Sequence, residues 1–547
     1  MPNRQRRAAG LVGTARAVFG GRPHLGEAAV ATASCALLAA VTTYRWAALN
    51  DAEYPGHADR AFYFGVAQNL QAGRGPVIDY AWEFLSGMHP LPQYAFGYWL
   101  PLPSYLMSSV MTGGPHDLAA ALRVNLAMGV LTWLGTYLLA RQLSSQRWLP
   151  GVAAAIVIVL PAFSDYSVAA EAALYLSAFA VLAMATALGA RRRLWLWPVA
   201  GMFAGLANAS RNEGLLVFVV ILCAAVMWPA AGRRLGAAVA YVAGYLLTMG
   251  PEMIAAHRHF GTVLPPASAS FPFISDPEQI FAAHVHRTPA ALFAGGPWQF
   301  VYIRLTSLDD TVSAMLSDLG VLESALLLLA IGAALARQKF RVRASAWREA
   351  VASSWFVPIG FCAATVALQA FVAPAVSDSG AAQKSGATVM IVVVVAGLTA
   401  LARIGMRPVF TISVVVTLVL LPLLTVPTRT RLTVDVDNAY GRVARGLEPF
   451  FADEQRCLGR PVVLMTRSPW EFNQATGMAA VQIPDDPLPV ILDIAKRYGV
   501  THIRMDADRP ALRDLKTLTG PDGLLVPTRV KSPGVYRIRS ATLQATC

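Results

Sequence analysis

The sequence predicts an α-helical polytopic membrane protein with about eleven transmembrane helices, interfacial helices in its first long loop, and a small C-terminal α/β extracytoplasmic domain. Three observations lead there. Only 14% of the 547 residues are charged and 55% are hydrophobic, with a mean hydropathy of +0.48. A soluble domain averages about 25% charged residues. Apolar runs close to the length that crosses a hydrocarbon core as a helix, about 20 residues, recur along the chain. Basic residues cluster in every second loop.

The runs place spans near 28–48, 119–140, 149–163, 171–190, 194–210, 213–230, 236–255, 311–336, 350–372, 387–402 and 409–426. Arg4, Arg6, Arg7, Arg16 and Arg22 precede the first. Arg141 with Arg147, the run Arg191 to Arg193, Arg233 with Arg234, then Arg337, Lys339, Arg341, Arg343 and Arg348, and finally Arg403 with Arg407, fill the alternate loops. Short cytoplasmic loops carry such an excess. Residues 1–27 are therefore expected in the cytoplasm, 28–426 in the membrane domain, and 427–547 outside. The net charge of +13 is mostly this topology signal, and no basic, aromatic-rich soluble face points to nucleic acid. The first apolar run lacks a small-residue cleavage site and reads as a retained anchor. The expected location is the plasma (inner) membrane.

Among the long loops, 49–118 comes first. It holds an amphipathic run at 60–72, closed by Gly73-Arg74-Gly75, and a second apolar run at 94–111. Tyr and Trp favour the headgroup level, and Pro101 and Pro103 argue against a straight span. Both runs are expected to lie along the interface as helices. Loop 256–310 is too long for a simple connector. In the tail, 461–466 and 501–505 read as strands, 488–498 as an amphipathic helix, and 524–530 and 534–538 as closing strands, Pro527 confining the first to an edge.

Five cysteines show no metal-ligand spacing. Cys35, Cys223 and Cys362 lie in apolar runs. Cys457 and Cys547 share the outer tail, where a disulfide is allowed but not required.

Candidate chemistry gathers at the outer ends of the spans. Asp59 stands about ten residues past the first membrane exit, where a carboxylate serves as a cap or as a base. Glu171 opens the fourth span, with Asp165 just before it; acids there also interact favourably with the helix dipole. Arg211 and Glu213 share one short turn, His257 and Arg258 open the second long loop, and Lys384 lies in the last short outer loop. Arg and Lys in such places pair with neighbouring acids or hold phosphate. No serine triad, nucleotide-phosphate loop or zinc motif stands out.

Four stretches carry a family resemblance. His57-Ala-Asp-Arg-Ala-Phe-Tyr63 with Ala67 to Gly75, Ala170 to Tyr175, Ser210 to Leu215, and Phe260 to Pro265 resemble, in this order, the membrane glycosyltransferases of the GT-C fold. The tail, Met465 to Asn473 and Ala495 to Val500, is similar to the outer domain of an uncharacterised bacterial branch. The resemblance implies an inverting transfer of a sugar from a polyprenyl-phosphate donor to an envelope glycan, glycolipid or protein, beside membrane lipid. It implies Asp59 as base, Glu171 as a second acidic contact, and Arg211, Glu213, His257, Arg258 and Lys384 around the substrates. Many relatives carry two adjacent acids where this chain has Asp59-Arg60. A lone carboxylate is a poor divalent site, so no residue is assigned to metal, and a divalent ion remains open. A transporter or flippase of lipid-linked glycans and an inactive envelope scaffold are the alternatives.

Overall fold

The structure is a computed structural model that describes residues 25–539 except 115, 275, 285–287, 289, 291–292, 294, 338–348, 350, 374–379, 405–407, 506–508, 514–517, 520–524 and 529–533. The basic residues at 4–22, at 339–348 and at 407, and Cys547, lie outside the described residues.

A helix stands at each of the eleven expected spans. Six helices among the described residues are long and apolar enough to cross a membrane, and four shorter ones are apolar as well. The centre is α7, Ala173–Ala190, apolar on every side and almost wholly buried. A helix without a polar face belongs inside a bundle. It packs on α4 (Asp117–Leu143), α8 (Leu196–Ser210) and α15 (Ala382–Ile404). The tightest contact joins α8 to α10, Arg234–Phe260. There Gly201 and Gly205, four residues apart, let the backbones touch. A Cβ on Gly201 would sit 2.0 Å from the Tyr241 carbonyl oxygen. Small residues at this spacing are how helices approach closely where water supplies no hydrophobic drive.

Several boundaries differ from expectation. The run at 311–336 is two helices, α12 (Pro297–Leu319) and α13 (Val321–Arg337), broken at Gly320 with φ 97°. The run at 94–111 is not one interfacial helix. It holds β3 (Gln93–Tyr94), irregular backbone through Tyr98 and Trp99, and only a short α3, Leu102–Ser108. Pro101 has no N–H for a preceding turn and biases Leu100 away from helix. The first run does form α2, Asp59–Gln71, ended by Gly73 at φ 73°. The last apolar run continues, past Pro422 and Pro427, as the 38-residue α16, Pro408–Arg445. Its extension beyond residue 427 grips the first loop: Asn438 accepts from the backbone N–H of Glu53 and Tyr54 and donates to the Asp51 carbonyl.

The C-terminal region carries a six-stranded mixed sheet, order β2-β5-β4-β6-β8-β7, where β4 is Leu464–Thr466, β5 Ala480–Gln482, β6 His502–Arg504, β7 Leu525–Pro527 and β8 Val535–Ile538. Helix α19, Leu488–Arg497, packs its apolar face on it, and Pro527 lies in the edge strand β7 as expected. The opposite edge strand, β2 (Tyr80–Ala81), comes from the first loop and runs parallel to β5. Cys457 is disulfide-bonded.

Candidate functional site

Where the first loop, the helix ends and the C-terminal region meet lies a cavity of about 580 Å³. Asp59, Arg211, Glu213 and Lys384 line it, with Trp82, Tyr98, Trp99 and Trp470 forming an aromatic wall. Trp82 and Trp99 stack with centroids 4.0 Å apart, and Trp470 meets Trp82 edge-on.

Asp59 is the first residue of α2, and Ala58 before it takes φ 45°. That region is uncommon for a residue with a Cβ, costs about 1–3 kcal/mol and persists only where neighbours impose it. The neighbours do. His57 hydrogen-bonds to Glu471 and stacks on Tyr440 with centroids 5.0 Å apart. On the other side the Lys384 ammonium donates to Asp59. Burial alone would raise the Asp59 pKa, but Lys384, and Arg211 behind it, hold it below the usual carboxylate range.

The same ammonium lies 3.2 Å from Glu171, whose side chain is almost wholly buried. Glu171 stands at the head of α7, where its other oxygen accepts from the Ala172 N–H at 3.0 Å. Its loop is fixed from α4: the Asn125 amide donates to the carbonyls of Tyr166 at 3.2 Å and Glu171 at 3.0 Å, and Tyr175 holds the Asn125 oxygen. Asp59 and Glu171, 112 positions apart, thus share one lysine from a third element.

Arg211 follows α8 and pairs with Glu213 at 2.9 Å. Burial lowers the affinity of a guanidinium for its proton, yet Glu213 more than compensates and the net direction is up. Gln369 steadies Glu213 at 3.3 Å. The buried Arg211 Nε has no partner among the described residues. His257 and Arg258, in contrast, are exposed in the last turn of α10 and do not line the cavity. A helix runs through their position to Phe260 and carries them away from it.

Sequence reasoning did not single out Asp437, Glu471, Trp470 or Asn125. Arg60, next to Asp59, pairs with Asp437 of the α16 extension at 2.6 Å. Burial pushes the Asp437 carboxyl up to about 6, with Arg60 opposing. Gly56, at φ 108°, passes so close that a Cβ would meet the Asp437 carboxylate at 2.5 Å.

The residues present do not fit a divalent cation. Such ions take oxygen ligands, often one or two carboxylates beside substrate phosphate. Here the space between the two facing carboxylates is taken by Lys384, with Arg211 beside it, and no group of three or more metal-binding side chains occurs among the described residues.

No protein-family model and no curated protein matches the chain. Solved structures do. The apo oligosaccharyltransferase of Archaeoglobus fulgidus superposes with a TM-score of 0.54 at 13% identity, over 86% of this chain and 69% of its own. The same enzyme in complex with Zn and sulfate gives 0.51 at 14%, over 85% and 67%. ArnT from Cupriavidus metallidurans bound to undecaprenyl phosphate gives 0.51 at 12%, over 93% and 99%. These neighbours have the GT-C fold of membrane glycosyltransferases, and this chain shares that fold. At such identities the likeness concerns fold alone.

Proposed function

We propose that the protein is an inverting glycosyltransferase that moves a sugar from a polyprenyl-phosphate donor to an envelope acceptor, a glycolipid, polysaccharide or protein, on the outer face of the plasma membrane. The observation that carries this reading is the convergence of Asp59, Lys384 and Arg211 on one cavity at the helix ends, with Glu171 holding Lys384 from outside the cavity lining. The neighbours named above include an oligosaccharyltransferase and a protein holding undecaprenyl phosphate, which supports a lipid-linked donor. Basic residues in the alternate loops support the orientation.

In this mechanism Asp59 takes the proton of an acceptor hydroxyl. The hydroxyl oxygen attacks the anomeric carbon, the bond from that carbon to the phosphate oxygen breaks, and the lipid phosphate leaves with the electron pair. The base must reach the hydroxyl at hydrogen-bond distance. Lys384 and Arg211 meet the charge that grows on the phosphate. The two cations differ in geometry and so divide the role: a guanidinium grips two oxygens, whereas an ammonium offers a point charge. His257 and Arg258 do not line this cavity, and the mechanism assigns them no step.

The test compares cells with and without the protein. Mass spectrometry of envelope glycans and glycolipids is expected to show one glycoform missing a single sugar. Purified protein with the matching polyprenyl-phosphate sugar restores it. An unchanged envelope glycome, with no transfer by the purified protein, rejects the reading.

A further inference from the structure

Two carboxylates from separate segments that face one point are the usual beginning of a divalent-cation site. In this protein the point is already filled by a cation of its own. Lys384, on the first turn of α15, donates to Asp59 and lies 3.2 Å from Glu171. Arg211, which also lines the cavity, acts electrostatically on Asp59, and Arg60 is held by Asp437 with its charge felt at Glu171. His57, the nearest side chain with a metal-binding nitrogen in this loop, is turned to Glu471 instead. A divalent ion placed between Asp59 and Glu171 would have to displace a half-buried, doubly paired ammonium and stand against the neighbouring guanidinium groups.

We propose that Lys384 is the resident cation of this site, held by Asp59 and Glu171 as a metal ion would be, and that the protein binds its phosphate ligand without a divalent metal. The role toward phosphate rests on the glycosyl-transfer reading; the exclusion of metal does not. Where a bound metal would shield the charge on a substrate phosphate, the ammonium does so here. Asp59 and Glu171 orient it, and Lys384 lines the cavity. The cation is therefore part of the chain and needs no loading from solution.

Two measurements on the full-length, detergent-purified protein decide this. The first is titration with Mn²⁺ followed by electron paramagnetic resonance. The wild type is expected to show no bound Mn²⁺ that depends on Asp59, while Lys384→Ala, or Lys384→Met if the first does not fold, uncovers a Mn²⁺ site that is lost again on adding Asp59→Asn. Mn²⁺ bound by the wild type and released by Asp59→Asn overturns the proposal. The second is binding of undecaprenyl phosphate, read by native mass spectrometry with chelator or with Mn²⁺. Equal binding in both, weakened about tenfold or more in Lys384→Met, is expected for the loss of a charge-assisted contact. Binding that requires Mn²⁺ overturns the proposal. Should no lipid phosphate bind in either buffer, the transfer reading falls, and the Mn²⁺ titration of the wild type still decides whether Lys384 excludes metal.

Discussion

Arg60 Nη1 lies 2.6 Å from Asp437 Oδ1, so the residue beside Asp59 is tied to a helix that begins in the last membrane run, 377 positions along the chain. Asp437 is largely buried and its pKa is pushed up to about 6. The folded state therefore binds a proton more readily than the unfolded chain between about pH 4 and 6, and this group's contribution to stability falls as pH rises through that window. Asp437→Asn is expected to flatten the pH dependence of the melting temperature there. Asp437→Ala leaves Arg60 buried without its partner and is expected to cost about 3 kcal/mol, the lower end for a broken buried pair. The double variant with Arg60→Met recovers much of this loss. Thermal melts in detergent across pH check each outcome.

Asp59→Asn keeps the shape of the side chain and an oxygen for Lys384, but cannot take a proton. Turnover is expected to fall about 10²–10⁴-fold with the melting temperature little changed, the usual scale for loss of a general base. Glu171→Gln is expected to cost less, since Glu171 works through Lys384. Near-normal turnover of purified Asp59→Asn removes Asp59 from the mechanism.

Because Lys384 and Arg211 outweigh burial and depress the Asp59 pKa, the base stays ionised as the pH falls, and the acid limb of the rate profile is expected below about pH 4. Lys384→Met leaves burial less opposed, so the limb moves to higher pH. A profile with the same limb in both proteins separates Asp59 from the titration.

Arg211→Ala is expected to raise the KM for the polyprenyl-phosphate donor, lower turnover, or both, while the acceptor KM changes little. Arg211→Lys rescues in part, because a point charge replaces the two-pronged grip. Arg211→Ala also leaves the buried Glu213 with Gln369 at 3.3 Å but without its cation, so a loss of stability accompanies it, which Arg211→Lys avoids in part. Steady-state kinetics run beside thermal melts distinguish the two effects; unchanged donor kinetics moves the phosphate contact elsewhere.

His502 in β6 is wholly buried beside Glu454 at 3.1 Å, and burial lowers its pKa to about 4 against the pull of that acid. Its unfolded value is about 6.5, so the unfolded chain binds more protons between these limits and stability rises with pH across them. His502→Gln is expected to remove a slope worth up to about 3 kcal/mol, seen as a flatter melting temperature between pH 4 and 6.5. An unaltered slope assigns the pH response to another group.

The membrane helices were legible because hydropathy is a local property, and runs such as 173–190 carry it without interruption. Asp59, Glu171, Arg211 and Lys384 stood out as charges at the ends of such runs. What escaped was set by contacts between distant segments. Asp437 lies in polar sequence that reads as tail, since nothing local shows α16 continuing past Pro427. Trp470 and Glu471 fall in a separate region of the sequence, and only the fold brings them against His57. Asn125 offered a signal, a lone amide inside an apolar run, of the kind that is costly in a membrane unless it binds something. Arg258 reads in sequence as the opening of a loop, but it lies in the last turn of α10 and does not line the cavity, because the helix runs on to Phe260.

The pairing of Tyr80 with Ala480 has a consequence for how the protein is made. A ribosome adding about 5–20 residues per second needs on the order of 20–80 s to travel from one strand to the other. Throughout that interval the first loop is finished but its edge strand has no neighbour, and unpaired strand edges invite wrong partners. The polypeptide must then be kept from premature pairing until its last segments have been synthesised. The cavity wall that Trp470 supplies is likewise completed only after the tail has been synthesised.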